Sequence, residues 1–236
     1  MNEKKLGVIG GLGPKATAYF YNLIVDNTKA DVDQDHIDAI YLNHASMPDR
    51  TRAILFKKTD ELKGLLIEDA KLLESLKVSH IAIPCNTSHS FYEDIQNSVN
   101  IPVINMIDET IKYIISKFPE IEKIGILATN GTREMRIYDK YANSNSVEII
   151  YPSTEGQDCV MRAIYDGVKA GKQVNPSELD SVINELKCNG CGAVILACTE
   201  LSVIFKDNIN PSIIDALKIL ATKSILLAGK QVKDNI

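Results

Sequence analysis

Two cysteines stand at matching places in this 236-residue chain and have the chemistry of an acid–base pair. Cys85 follows the apolar run 81–83 and Cys198 follows the apolar run 194–197, so each thiol is predicted at the carboxyl end of a buried strand, just before a helix. Ligands of open α/β sheets bind at that edge, where free amides lower the pKa of a thiol. A thiolate on one side of a carbon and a thiol on the other can invert a stereocentre.

The ordinary interpretation of a single cysteine is a small buried hydrophobe. The surroundings of Cys85 argue against it, because Pro84 precedes the thiol and the polar run 86–88 follows it. Polar groups are costly in a packed core, so these neighbours favour a site.

An internal repeat strengthens the pairing of the two thiols. The segment from residue 6 to 22 resembles the segment from 124 to 141, and residues 81–87 resemble 194–200. The repeat predicts an α/β protein with two similar three-layer lobes, each holding a parallel four-stranded sheet, related by a pseudo-twofold axis with the site in the cleft between them. We expect residues 1–105 with 211–236 to form the first lobe and 106–210 to form the second.

Short apolar runs alternate with amphipathic segments, which is typical of βα units. The predicted strands are 6–9, 39–42, 80–83, 103–105, 124–127, 147–150 and 193–196. A helix is predicted between Thr59, a suitable N-cap, and residue 76, and Pro14 suits a first helical turn. The stretch from Pro211 to about residue 232 is predicted as a helix that returns to the body.

Composition excludes several function classes. Hydrophobic residues make up 45% and charged residues 24%, and the net charge of −5 comes with no basic cluster, so nucleic-acid binding is not expected. The apolar run near the start is too short for a signal peptide and no window reaches the length of a membrane span, so we expect a soluble, cytoplasmic protein. Five scattered cysteines do not suggest a disulfide framework.

Five motifs, in order along the chain, resemble the aspartate/glutamate racemase superfamily, and its pyridoxal-independent aspartate racemase branch most of all. The likeness runs from residue 5 to about residue 215. The motifs are Gly10-Gly11-Leu12-Gly13-Pro14, Pro48-Asp49-Arg50-Thr51, Pro84-Cys85-Asn86-Thr87-Ser88-His89, Ala128-Thr129-Asn130-Gly131-Thr132 and Ala197-Cys198-Thr199-Glu200.

The resemblance implies roles for individual residues. Cys85 and Cys198 match the catalytic cysteine pair of that family, while Arg50 and Lys169 match the residues that hold substrate carboxylates. Polar groups that line the site are matched by Asn86, Thr87, Thr129, Thr132 and Thr199. The resemblance further implies a homodimer that needs no cofactor and no metal. Leu12 stands where relatives often carry methionine.

The residues alone leave some of these roles open. A guanidinium grips a carboxylate with two bonds, but Arg52 is an alternative to Arg50. Lys169 shares helical spacing with Arg162 and Asp166, so a solvated ion-pair face is its ordinary interpretation. The roles of Glu200 and His89 stay open.

Two other motifs point to different chemistry. The glycines between residues 11 and 16 match a dinucleotide fingerprint, but Asn43 and His44 stand where that fold needs an acidic residue. The Cys188-x-x-Cys191 motif suggests redox or zinc chemistry, yet it precedes a strand and has no second ligand pair nearby. His36, His44 and His80 have no metal-ligand spacing.

The sequence therefore predicts a cofactor-independent racemase that interconverts L- and D-aspartate with a thiolate base and a thiol acid. The alternatives are a glutamate or broad-specificity amino-acid racemase, a related isomerase, or a two-lobed protein that binds a small molecule without turnover.

Overall fold

The computed structural model describes residues 4–233 and contains two parallel sheets flanked by helices. The strands are β1 Leu6–Gly10, β2 Ala39–Asn43, β3 His80–Ala82, β4 Lys123–Ala128, β5 Glu148–Ile150, β6 Ala193–Ala197 and β7 Ile213–Asp215. The α-helices are α1 Pro14–Asn27, α2 Arg50–Leu55, α3 Asp60–Ser75, α4 Tyr92–Asn97, α5 Met106–Lys117, α6 Asn130–Glu134, α7 Ile137–Asn143, α8 Thr154–Arg162, α9 Asp180–Cys188, α10 Thr199–Ile204 and α11 Ala216–Leu227. Short 3₁₀ helices cover Asp33–Asp35, Thr87–Phe91 and Pro176–Leu179, and a π-helix covers Ala163–Val168.

The two sheets share one topology, which confirms the two-lobed α/β architecture. The first has the order β2-β1-β3, and the second has the order β5-β4-β6-β7. Strands β1, β4 and β6 are almost wholly buried, as expected for parallel strands covered on both faces. Strands β1 and β4 each carry the glycine of the repeat, and an added Cβ there would lie 2.9 Å from a neighbouring side chain: Val78 for Gly7 and Leu186 for Gly125.

The prediction of four strands in each sheet is wrong for the first sheet. Val103 makes a single isolated bridge to Ile81 instead of a strand. Pro102 has no N–H to offer a ladder, and Asn105 already caps α5 by accepting from the amides of Ile107 and Asp108. Residues 103–105 therefore lead directly into α5 and do not form a fourth strand.

The final helix was predicted to start at Pro211, but α11 starts at Ala216. Residues 213–215 form β7, which pairs with β6, and Asp215 then caps α11 by accepting from the amides of Leu217 and Lys218. The predicted helix after Thr59 is α3, although Thr59 makes no side-chain cap hydrogen bond, and Pro14 opens α1 as expected.

The lobe boundaries remain a proposal. Because β7 belongs to the second sheet, we propose that the chain returns to the first lobe after Asp215, where α11 packs on α1 and α5. Residues 1–3 and 234–236 of the predicted first lobe lie outside the described range. Between residues 4 and 233, no helix has both the length and the apolar character needed to cross a membrane.

Candidate active site

A narrow pocket lies beyond the carboxyl ends of strands from both sheets. The predicted site residues that line it are Arg50, Cys85, Asn86, Thr87, Thr129, Lys169, Cys198 and Thr199. These residues lie together because the strands of a parallel sheet end at one edge. The pocket is lined from the edges of both sheets.

Both cysteines reach this pocket from equivalent positions. Cys85 is separated from β3 by two residues, and Cys198 follows β6 directly. Each is 6% exposed, and all five cysteines of the chain are free thiols. The two sulfurs therefore share one cavity, which is the arrangement that the repeat predicts.

Arg50 is the cation beside Cys85. Its terminal nitrogens donate to the carbonyl oxygens of Leu12 (2.7 Å) and Pro48 (3.1 Å), which fixes the guanidinium in the pocket wall. Burial alone would lower the pKa of Arg50, but its interactions with Cys85 and with the carboxylate of Asp49 outweigh burial and raise the pKa. Arg50 thus stays charged next to Cys85, whereas Arg52 is exposed and lies over Phe56.

The second thiol has an acidic neighbour instead. Sγ of Cys198 donates to Oε2 of Glu200 at 3.0 Å, and both side chains are buried. Burial first, and the carboxylate of Glu200 second, raise the pKa of Cys198 well above its usual range. The expectation that a helix start lowers both thiol pKa values is therefore wrong for Cys198, because burial and Glu200 outweigh the amide of residue 200 and the charge of Lys169.

Two buried hydrogen-bond donors belong to residues that line the pocket. Nε of Arg50 and Nδ2 of Asn86 are buried and have no hydrogen-bond partner within residues 4–233. The Asn86 amide is held by Tyr138, whose phenol donates to Oδ1 at 2.6 Å. Buried donors without acceptors are costly, so the pair indicates a site for an acceptor such as a carboxylate.

Three threonines join the two halves of the site behind this wall. The Thr87 hydroxyl lies 3.1 Å from that of Thr129 and 2.9 Å from that of Thr132. Thr132 is fully buried and does not line the pocket, so the predicted contact of Thr132 with a ligand is replaced by support of Thr87.

Lys169 forms an ion pair with Asp49, the N-cap residue of α2. Its Nζ lies 3.3 Å from Oδ2 of Asp49 and 4.2 Å from the ring centroid of Tyr165, whose phenol also donates to Asp49. Burial alone would lower the pKa of Lys169, but Glu200 and the other nearby negative charges raise it. Lys169 is thus not part of an ion-pair face with Arg162 and Asp166, because its cationic end reaches across the cleft.

His89 supports Cys85 rather than the pocket. Its Nδ1 donates to the carbonyl oxygen of Cys85 at 2.9 Å, and its Nε2 accepts from the amide of Met106 at 3.2 Å. Burial lowers the pKa of His89, so the ring is neutral and holds the thiol loop against α5.

The glycine loop and the C-x-x-C motif do not form separate sites. Gly11 has φ +85° and packs against the backbone of His44. Gly13 leaves space that the side chain of Glu200 occupies. The space beside both glycines is thus filled by the protein itself and not left for a dinucleotide. Burial raises the pKa of Cys191 to about 11, so this thiol stays protonated at neutral pH, unlike a redox thiol. Among residues 4–233 no group of three or more His, Cys, Asp or Glu side chains is arranged to hold a metal ion.

Asp49, Thr51 and Tyr165 also line the pocket and were not predicted as site residues. The sequence held a signal for each: Asp49 and Thr51 belong to the Pro-Asp-Arg-Thr motif, and Tyr165 lies four residues before Lys169. Tyr165 lies within the π-helix Ala163–Val168 and Lys169 follows it, and such turns occur often at functional sites.

The fold and the site together define a two-lobed α/β protein with paired thiols in one shared pocket. The sequence model of the Asp/Glu/Hydantoin racemase family matches residues 9–223, so the chain belongs to that family. The family and its members support an amino-acid racemase.

Individual relatives agree with this assignment. The chain is 31% identical over 232 residues to the broad specificity amino-acid racemase RacX of Bacillus subtilis, covering 93% of this chain and 96% of the relative. The aspartate racemase of Picrophilus torridus is 31% identical, with a TM-score of 0.82 and coverage of 98% and 96%. A glutamate racemase of Bacillus anthracis, 18% identical with a TM-score of 0.69 and coverage of 97% and 82%, shares the fold.

Proposed function

We propose that this protein racemises aspartate without a cofactor, with Cys85 and Cys198 acting on opposite faces of the substrate Cα. The observation that carries the proposal is the shared pocket, which two equivalent thiols from two repeats line together. Removing a proton from one face and supplying one to the other is the chemistry that such a pair can perform.

The charges of the pocket fit an amino acid. The unpartnered donors of Arg50 and Asn86 would hold the α-carboxylate, since a guanidinium and an amide offer N–H groups that a carboxylate accepts. Lys169 is the cation available for a second carboxylate, as in aspartate. The carboxylates of Asp49 and Glu200 line the same pocket and complement an ammonium group.

In the first half-reaction of the proposed mechanism, Cys85, which lines the pocket together with Arg50, is the thiolate that takes the Cα proton. The electron pair of the broken C–H bond is delocalised into the α-carboxylate, where fixed, buried N–H donors stabilise the charge. Cys198, a thiol in the free protein, then donates its proton to the opposite face of Cα. The reverse reaction exchanges the two roles.

A broad-specificity racemase is the second candidate, and one contact favours it. Asp49 already lies 3.3 Å from Lys169, so the charge of Lys169 is partly neutralised before any substrate binds. The 31% identity to the broad specificity racemase RacX supports the same candidate. A glutamate racemase and a binding protein without turnover are further outcomes of the test below.

The test is a panel of L-amino acids incubated with the purified protein in the absence of added cofactor and analysed by chiral chromatography. We expect D-aspartate to form fastest, and formation to stop in Cys85→Ala and in Cys198→Ala. Inversion of many amino acids at similar rates would favour the second candidate. Binding of aspartate without inversion of any amino acid would overturn the proposal.

We also propose a cytoplasmic homodimer. A sedimentation experiment on the full chain tests the assembly, and a monomer at micromolar concentration would contradict it.

A further inference from the structure

A second cavity, of about 690 Å³, lies outside the active pocket and shares none of its lining residues. Its size falls within the roughly 300–1,000 Å³ of pockets that hold small molecules. Its walls come from the end of α2, from α6 and the turn after it, from the residue that follows β5 and from the start of α8. The two-thiol scheme uses no group of this cavity, so its polar groups need a separate explanation.

Gln157 lines this cavity and holds a buried acceptor oxygen. Its side chain is 5% exposed, and its amide nitrogen donates at 2.9 Å to the carbonyl oxygen of Ala128 and at 2.9 Å to Oδ1 of Asn130. These two bonds fix which end of the amide is the oxygen. Oε1 is buried and accepts no hydrogen bond within residues 4–233. A buried acceptor without a donor is costly, so the cavity favours a ligand that brings an N–H group to Oε1.

Two arginines line the cavity, and only one of them has a carboxylate partner in the described chain. Arg136 donates to Oδ1 of Asp139 at 2.6 and 3.0 Å as an ion pair. Arg133 forms no such pair, and its guanidinium carbon lies 5.6 Å from the ring centroid of Tyr151. One of its nitrogens donates to the carbonyl oxygen of Pro152 at 3.5 Å, a long bond. The ring and the carbonyl hold the guanidinium without neutralising it, so N–H groups remain for a carboxylate.

Acidic and apolar side chains in the same walls restrict the ligand further. Glu134 and Asp158 are exposed and line the cavity. Their charges attract an ammonium group and repel a second carboxylate. Leu55 is 47% exposed and supplies an apolar surface. The walls thus match a molecule with one carboxylate, one ammonium group and an apolar side chain.

We propose that this cavity is a second binding site, which takes a free amino acid with a neutral, apolar side chain. Arg133 holds the carboxylate, Oε1 of Gln157 accepts from the ammonium group, and Leu55 contacts the side chain. Because Glu134 and Asp158 repel a second carboxylate, the site does not take aspartate. The inference does not rest on the racemisation proposed above, since the two cavities share no lining residue.

The experiment is an NMR titration of the purified protein with cycloleucine, an apolar amino acid that has no Cα proton and therefore cannot be racemised. We expect saturable binding to the wild type. Cyclopentanecarboxylate has the same ring and carboxylate but no ammonium group, so it should bind at least about tenfold more weakly. Aspartate and inorganic phosphate should not displace cycloleucine.

Arg133→Gln removes the charge that holds the carboxylate and should weaken cycloleucine binding at least about tenfold. Arg133→Lys keeps a charge without the planar N–H groups and should retain part of the affinity. Arg162→Gln, which changes an exposed arginine in the last turn of α8 outside the cavity, is the matched control and should leave binding unchanged. Arg50→Lys should also leave it unchanged, because Arg50 lines the active pocket instead.

Three results would overturn the inference. Weaker binding to Arg50→Lys would place cycloleucine in the active pocket, equal binding of cyclopentanecarboxylate would show a site for simple anions, and no saturable binding would leave Oε1 of Gln157 to water. The comparison of ligands needs only the wild type, so a folding defect in an Arg133 variant does not remove the test. No measurement here uses turnover, so failure of this inference leaves the proposed racemisation untouched.

Discussion

The phenol of Tyr138 donates a 2.6 Å hydrogen bond to Oδ1 of Asn86 and thereby orients an amide at the centre of the site. Tyr138 lies on α7 and is fully buried, while Asn86 follows Cys85 directly. With Oδ1 accepting, Nδ2 is left without a partner within residues 4–233. The second half of the chain thus sets the direction of a donor that belongs to the first.

Tyr138→Phe should weaken substrate binding more than it slows chemistry. The ring volume remains, but a buried acceptor loses its donor, which costs about 1–3 kcal/mol of stability and frees the amide to turn. We expect a raised KM for aspartate with a smaller change in kcat. Tyr21→Phe, at a tyrosine that is 52% exposed, is the control. An unchanged KM alongside the stability loss would show that Asn86 does not need this hydrogen bond.

Arg50→Lys should reduce kcat/KM for aspartate by roughly 10- to 150-fold, which corresponds to the 1.5–3 kcal/mol of a hydrogen bond to a charged group. Lysine keeps the charge but loses the planar N–H groups. Arg52→Lys, two residues away and exposed, should have little effect. The opposite result, with Arg52 as the sensitive position, would move the carboxylate site out of the pocket.

Lys169→Met separates the two candidate substrate ranges. Aspartate and asparagine have the same heavy-atom skeleton and differ in side-chain charge, so a cation that reads the second carboxylate acts on aspartate alone. We expect kcat/KM to fall more for aspartate than for asparagine, while the exposed control Lys172→Met changes neither. Equal losses for both substrates would favour broad specificity.

Cys198 makes the folded protein less stable in alkali. Burial and Glu200 raise the pKa of Cys198 above its ordinary value of 9.0, so above that pH the unfolded chain loses a proton that the folded chain keeps. The free energy of unfolding should then fall with pH by up to about 1.4 kcal/mol per unit. Urea unfolding of the wild type and Cys198→Ser between about pH 8 and 10 measures this difference, and parallel curves would contradict it.

The sequence predicted the site residues more completely than it predicted the details of the fold. The repeat placed Cys85 and Cys198 at equivalent strand ends, because strand periodicity and the edge where parallel sheets bind ligands are both visible in one chain. It did not reveal β7, since a segment of three residues, 213–215, is too short to indicate a strand and becomes one only by pairing with β6.

Contacts between the two halves of the chain could not be predicted from the sequence either. Asp49 and Lys169 are 120 residues apart in the chain, and neither residue type indicates a partner at that distance. The π-helix that aims Lys169 and the burial that reverses the expected pKa shift of Cys198 are also products of tertiary packing.

Isotope incorporation during the first turnovers tests the central claim, that two thiols act on opposite faces of one carbon. L-aspartate is incubated with the protein in D₂O, and both enantiomers are separated and analysed for deuterium at Cα. The two-thiol mechanism predicts D-aspartate that carries deuterium, remaining L-aspartate that keeps its proton, and no D-aspartate with Cys198→Ala. Deuterium entering L-aspartate as fast as D-aspartate forms, or D-aspartate retaining the original proton, would contradict it.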